Sequence, residues 1–167
     1  MPAMRRRDRA VTDPAKIRRI LDGARILHLG LVDDGRPYVV PLHYCYEYEG
    51  GDLTLYMHSA RHGRKLDVIS ASPACFVELE CDVALDDGGA TPYKIACQYG
   101  SFYSSVMGAG TASIVTDADE KVRALRLLMR QQTGRDFPMN RLMAKTVAII
   151  KVQVPAGELS CKAHVRK

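Results

Sequence analysis

The sequence predicts a mainly β protein with α additions, built as an antiparallel barrel. Three observations carry this expectation. Six or seven stretches are rich in β-branched, aromatic and other apolar residues; most of the connections between them are turn-length; and helical patterns occur only at corners. The strand–helix–strand alternation of a doubly wound sheet is missing. All 167 residues are expected to form one domain, with 1–12 as a basic arm and 156–167 as a tail.

The elements follow in order. Asp13-Pro14 is an N-cap followed by proline at the first helical position, and Ile17, Ile20 and Leu21 line one face of a short helix closed by Gly23. Ile26 to Val32 reads as a strand, ended by the turn Asp33-Asp34-Gly35. Pro37 to Tyr48 reads as a second strand. Pro41 inside it cannot donate to a ladder, so it marks an edge, a bulge or a place where something else meets the backbone. The turn Glu49-Gly50-Gly51-Asp52 leads to a third strand, Leu53 to His58, and a helix through Leu66, Ile69 and Ser70 stops before Pro73.

Residues 74–81 form a fourth strand candidate, followed by a polar interruption from Asp86 to Pro92. Two strands are expected in Tyr93–Ser105 and Val106–Thr116, with a break near Ser104-Ser105. Asp117 or Asp119 can cap a helix with the apolar face Val122, Leu125, Leu128 and Met129, ended by Gly134. A last strand, Thr146 to Val154, is supported by its β-branched residues and ended by Pro155.

Composition narrows the class. With 47% hydrophobic and 26% charged residues the chain is neither disordered nor fibrous, and it has no apolar run of membrane-spanning length. Nor does an apolar stretch follow the N-terminal arginines, so a secretory signal is not expected and a cytoplasmic location is. The five cysteines are odd in number and scattered without a C-x-x-C pair, which predicts reduced structural thiols and no metal centre. The net charge of +5 owes much to Arg5, Arg6, Arg7 and Arg9. With no tryptophan and no basic recognition helix, this reads as a solvated arm and not as a nucleic-acid surface.

The segment LYMHSARHGRKLDVI, residues 55–69, carries the strongest chemical signal. A strand ends at His58, and a helix starts after Gly63. Such a helix start presents free N–H groups and a positive dipole end, the ingredients of a phosphate site. Ser59 adds a hydroxyl, Arg64 a planar fork and Lys65 a point charge. A basic helix start can equally be just solvated. Residues 37–44, PYVVPLHY, are apolar with a backbone partly freed by Pro41, so a flat heteroaromatic ring could lie there; an ordinary barrel strand is the competing reading. Gly108-Ala109-Gly110 is followed by β-branched Ile114-Val115-Thr116 and not by a helix, which makes these strand glycines and not a dinucleotide loop. No nucleophile has a recognisable base beside it.

Taken together, MRRRDRAVTD, PYVVPLHY, LYMHSARHGRKLD and QYGSFYSSVMGAGTASIV resemble, in this order, the nitroimidazole-resistance branch of the pyridoxamine 5′-phosphate oxidase-like flavoproteins. The resemblance spans roughly residues 4–155. It implies an FMN-binding split β-barrel, a homodimer, and two FMN molecules at the subunit interface. Arg64 and Lys65 match the basic pair on the FMN phosphate, with Ser59 nearby, and His58 matches a histidine close to the flavin. Val39, Val40, Pro41 and Leu42 match the strand against which the isoalloxazine lies. Gln98, Ser105 and Val106 match a hairpin expected to reach the flavin from the other subunit. The pyridoxal-phosphate-binding residues of the true oxidases have no counterpart, so vitamin B6 oxidation is not implied.

The function expected from this is FMN-dependent reduction of a nitroimidazole-like or other small electron-poor aromatic substrate. Without a nicotinamide fold, electrons would come from transiently docked NAD(P)H or a protein donor. His58 is the candidate proton donor, imidazole being the side chain that exchanges protons near neutral pH, and a cofactor ligand in the competing assignment. A non-catalytic flavin- or haem-binding protein, with His164 as a conceivable axial ligand, is the alternative.

Overall fold

The structure is a computed structural model that describes residues 4–166. Eight strands form one antiparallel sheet: β1 (Leu27–Asp33), β2 (Arg36–Leu42), β3 (Cys45–Glu49), β4 (Asp52–Ser59), β5 (Ala74–Asp86), β6 (Gly100–Ile114), β7 (Ala148–Val154) and β8 (Leu159–His164). The helices are α1 (Pro14–Gly23), α2 (Arg64–Ala71), α3 (Ala118–Thr133) and α4 (Arg141–Ala144). Strand order is β2-β1-β5-β6-β7-β4-β3, with β8 also on β6. The ends of this order, β2 and β3, are joined only by His43 and Tyr44. A two-residue link cannot span an open sheet, so the sheet curls and brings its two ends near each other without pairing them.

Local chemistry explains most elements. Asp13 accepts the Ala15 N–H and caps α1; Asp117 does the same for α3 through Asp119 and Glu120. Asp34 and Gly35 both have positive φ, 48° and 73°, as a two-residue hairpin turn between paired Asp33 and Arg36 requires. The strand glycines are confirmed as such. A Cβ on Gly108 would lie 2.5 Å from Val154, and one on Gly110 2.7 Å from the Gln153 carbonyl. They sit where β6 passes from pairing with β8, at Tyr103–Gly108, to pairing with β7, at Thr111–Ile114.

Two hydrophobic layers result. The barrel interior holds Leu27, Leu29, Leu31, Leu53, Leu55, Met57, Val77, Leu79 and Val106, closed by the buried faces of α1 and α2. The second layer lies outside the barrel, where Ala124, Leu125 and Leu128 of α3 cover Cys45, Tyr56 and Ile149. Each fully buried aliphatic side chain contributes about 1.5–3 kcal/mol.

The structure departs from expectation in several places. The stretch 37–48 is two strands, because Tyr44 turns inward, fully buried, and donates its hydroxyl to the Leu21 carbonyl of α1 at 2.6 Å. Residues 100–114 are one strand and not two. Ser104 is sealed between β5 and β8, and its hydroxyl donates to Asp82 at 3.3 Å. β5 runs five residues past Cys81 through a register shift between Cys81 and Ala84, with Asp82 at φ 57°. The 156–167 tail contains β8, an eighth strand whose polar sequence hides it.

The arm is only partly solvated. Arg5, Arg6 and Arg7 are exposed, but Arg9 contacts Tyr103, and Ala10 bridges to Lys162. All five cysteines are free thiols, with burial pushing Cys45 up to about 12. Among the described residues no helix is long and apolar enough to cross a membrane.

Candidate functional site

The site grows from the end of β4. Leu53, Leu55, Met57 and Ser59 point into the barrel, while Tyr56 and His58 point outward. Ser59, paired with Ala148, is only 6% exposed, yet its Oγ is buried without a hydrogen-bond partner. A buried hydroxyl left unpaired costs about 1–3 kcal/mol, so it marks a place where a partner is missing.

Four residues later Gly63 stands at the N-cap of α2 with φ 139° and no side chain capping the helix. The helix's first bonds run from Leu66 and Asp67 to the Gly63 carbonyl, which leaves the Arg64 and Lys65 N–H groups outside its ladder. An L-residue at Gly63 would be strained, so the approach to α2 depends on glycine.

The side chains around this turn differ in how they are held. Arg64 donates from Nε to Asp33 Oδ2 at 2.6 Å, and its guanidinium carbon lies 4.5 Å from the centre of the Tyr38 ring. Lys65 is half-buried and has no ion-pair partner among the described residues. His58 is exposed and likewise makes no described hydrogen bond. Arg64 thus joins the turn to β2, the strand predicted to carry a flat ring.

β2 pairs only with β1, so its other edge offers backbone groups. Val39 and Pro41 face outward and are exposed, whereas Val40 and Leu42 turn inward against the barrel core. Across β1 this outward face continues through Val32, and across β5 through Phe76, both exposed.

The hairpin residues are placed elsewhere. Gln98 is exposed on the short 3-10 turn Ala96–Gln98. Ser105 is 5% exposed on β6, between Glu80 and Lys162. Val106 is sealed in the barrel core. No hydrogen bond, ion pair or ring contact among the described residues links these three to the β4–α2 turn.

Metal-type ligands converge only at His28, Glu78 and Glu80 among the described residues, within 4.8 Å of one another on the outer face of β1 and β5. His28 Nδ1 and Glu78 Oε2 pair at 3.2 Å. Burial and the neighbouring Glu80 hold the Glu78 carboxyl above its usual range.

Sequence reasoning missed Asp33. It reads as a turn residue, and nothing local ties it to Arg64, 31 positions away. Tyr38 is visible in the β2 motif, but only the fold shows that its ring supports a guanidinium.

This fold has known relatives. A candidate 5-nitroimidazole antibiotic resistance protein from Bacteroides thetaiotaomicron is 27% identical, with 92% of this chain and 85% of that one aligned at a TM-score of 0.74. The flavocytochrome Anf3 from Azotobacter vinelandii is 21% identical over 98% of this chain and 73% of its own, at 0.75. An FAD- and haem-binding protein from Mycobacterium smegmatis is 16% identical over 95% and 74%, also at 0.75. The last two share the fold. None of the curated proteins matches the chain. The family model described as pyridoxamine 5′-phosphate oxidase matches residues 13–160, nearly the whole chain, and the chain therefore belongs to the pyridoxamine 5′-phosphate oxidase family.

Proposed function

We propose that the β4–α2 turn binds the phosphate of FMN and that the protein is an FMN-dependent oxidoreductase acting on nitroimidazole-like or other electron-poor aromatic compounds. The observation that carries this reading is the buried, unpartnered Ser59 Oγ beside an uncapped helix start and an unpaired lysine. These are donors without acceptors, and a phosphate monoester supplies acceptors.

The residues present fit the group. Ser59, the Arg64 and Lys65 N–H groups and both basic side chains would hold the phosphate. The free edge of β2 would meet the polar rim of the isoalloxazine with main-chain groups, beside exposed Val39 and Pro41. Bound FMN would supply the redox chemistry, the protein orientation and shielding. His58, exposed and free of described partners, would offer its imidazole N–H to the flavin chain or to a substrate oxygen.

A homodimer belongs to this reading. Val32, Val39 and Phe76 form an exposed apolar face, and exposed Gln98 would act on the partner's flavin, whereas Ser105 and Val106 are buried within their own subunit and would not. NAD(P)H or a protein would dock transiently as electron donor. A reducing cytoplasm is the setting in which exposed Cys97 stays a thiol. Similarity of fold to flavin- and haem-binding proteins supports one second reading, a non-catalytic carrier. In its haem version His164, whose Nδ1 lies 3.0 Å from the Ser101 carbonyl, would keep Nε2 for the iron.

The test is spectroscopic and then kinetic. The purified protein should show a flavin spectrum, be reduced by NAD(P)H in stopped flow, and be reoxidised by a nitroimidazole. Flavin without reoxidation points to the carrier; no flavin removes the reading. If His58 donates a proton to substrate, His58→Ala keeps FMN and slows turnover by about 10²–10⁴. If it is a ligand, the change releases FMN and leaves turnover per bound flavin nearly intact.

A further inference from the structure

We propose that Asp33 and Tyr38 are positioning residues that aim Arg64 at the flavin phosphate and so make the site selective for phosphorylated flavins. This rests on the phosphate reading of the β4–α2 turn. An arginine at an exposed helix start ordinarily samples many rotamers, and ordering it on binding weakens the complex. Here its conformation is restrained from two sides. Asp33 Oδ2 accepts from Nε at 2.6 Å, and the Tyr38 ring lies 4.5 Å from the guanidinium carbon.

That arrangement uses one of the guanidinium's five donors and one of its faces. The two terminal amino groups, which form the fork suited to phosphate oxygens, are left for a ligand. Asp33 is itself an anion and would repel a phosphate. It accepts on the Nε side, away from the terminal amino groups, and Arg64 is 63% exposed, so solvent screens that repulsion. Asp33→Asn separates the two effects: lost ordering weakens FMN, whereas relieved repulsion strengthens it.

The placement adds a second consequence. Asp33 ends β1 and Tyr38 lies on β2, so the strand proposed to carry the isoalloxazine also supports the arginine at the phosphate. A ligand with both ring and phosphate gains from this; riboflavin, which lacks the phosphate, does not.

The experiment titrates FMN and riboflavin into flavin-free protein and its Arg64→Ala, Asp33→Asn and Asp33→Glu variants, following flavin fluorescence. Arg64→Ala should weaken FMN about 10- to 150-fold and leave riboflavin unchanged. Asp33→Asn should weaken FMN roughly 3- to 10-fold without changing riboflavin, Asp33→Glu should restore most of the loss, and Asp33→Asn should add nothing once Arg64 is gone. Unchanged FMN affinity in Arg64→Ala would overturn the arginine's place in the phosphate site, and this inference with it. A loss in Arg64→Ala with no loss, or a gain, in Asp33→Asn would overturn only the positioning role. Equal weakening of FMN and riboflavin by Asp33→Asn would make Asp33 a residue of the fold alone.

Discussion

Tyr56 and His58 lie two positions apart on the same outward face of β4, and the fold treats them oppositely. Tyr56 is 2% exposed under α3. Its hydroxyl donates to Glu120 at 3.0 Å and accepts from Arg123 at 2.7 Å, while Lys151 and Glu47 complete the network. His58 lies beyond the cover of α3, exposed, and the next residue keeps a buried hydroxyl without a partner. Both regions are rich in cations and polar groups. Around Tyr56 those groups satisfy one another, so they hold α3 to the sheet; around His58 only Arg64 is tied, to Asp33, while Ser59 Oγ, Lys65 and the His58 ring have no described partner, so they await something else. Satisfaction of polar groups, and not their abundance, separates scaffold from site.

That contrast can be broken by paired substitutions. Lys65→Ala should weaken FMN about 10- to 150-fold while the denaturant midpoint of flavin-free protein stays nearly constant. Tyr56→Phe should do the reverse, lowering stability by about 1–2 kcal/mol with FMN affinity unchanged. If both variants lost both properties, the two regions would be one cooperative unit.

A smaller effect sharpens the scaffold side. The hydrogen bond from Lys151 holds the Glu120 carboxyl below its ordinary range, despite partial desolvation. A carboxyl depressed in the folded state contributes stability above its unfolded pKa, and this is lost as pH falls through the folded value. Unfolding free energy should therefore decline below about pH 4.5 more steeply in the parent than in Glu120→Gln. Equal slopes would mean that this network contributes little.

What the sequence disclosed follows the range of the interactions involved. Helix caps at Asp13 and Asp117, the two hairpin turns and the passage from a strand end to a helix start after Gly63 are local patterns, and the structure reproduces them. The division of residues 37–48 was not legible, since Tyr44 breaks the strand only by bonding to α1. Ser104-Ser105 suggested a break, but β5 and β8 seal both serines on one continuous strand. β8 itself, LSCKAH, has little strand character and exists because β6 offers it an edge. In the site, residue types and spacing were visible, whereas the tether of Arg64 to Asp33 and the missing partner of Ser59 depend on three-dimensional neighbours.

Ser59→Ala tests the central claim most directly, because the account assigns it opposite effects on the free and bound protein. Removing a buried hydroxyl that has no partner should stabilise flavin-free protein by about 1 kcal/mol. Removing the same hydroxyl from a phosphate should weaken FMN roughly 10-fold. Denaturant unfolding without flavin and FMN titration of the same variant give both numbers. Greater stability with weaker FMN binding is the predicted result; lower stability with unchanged FMN affinity would contradict it.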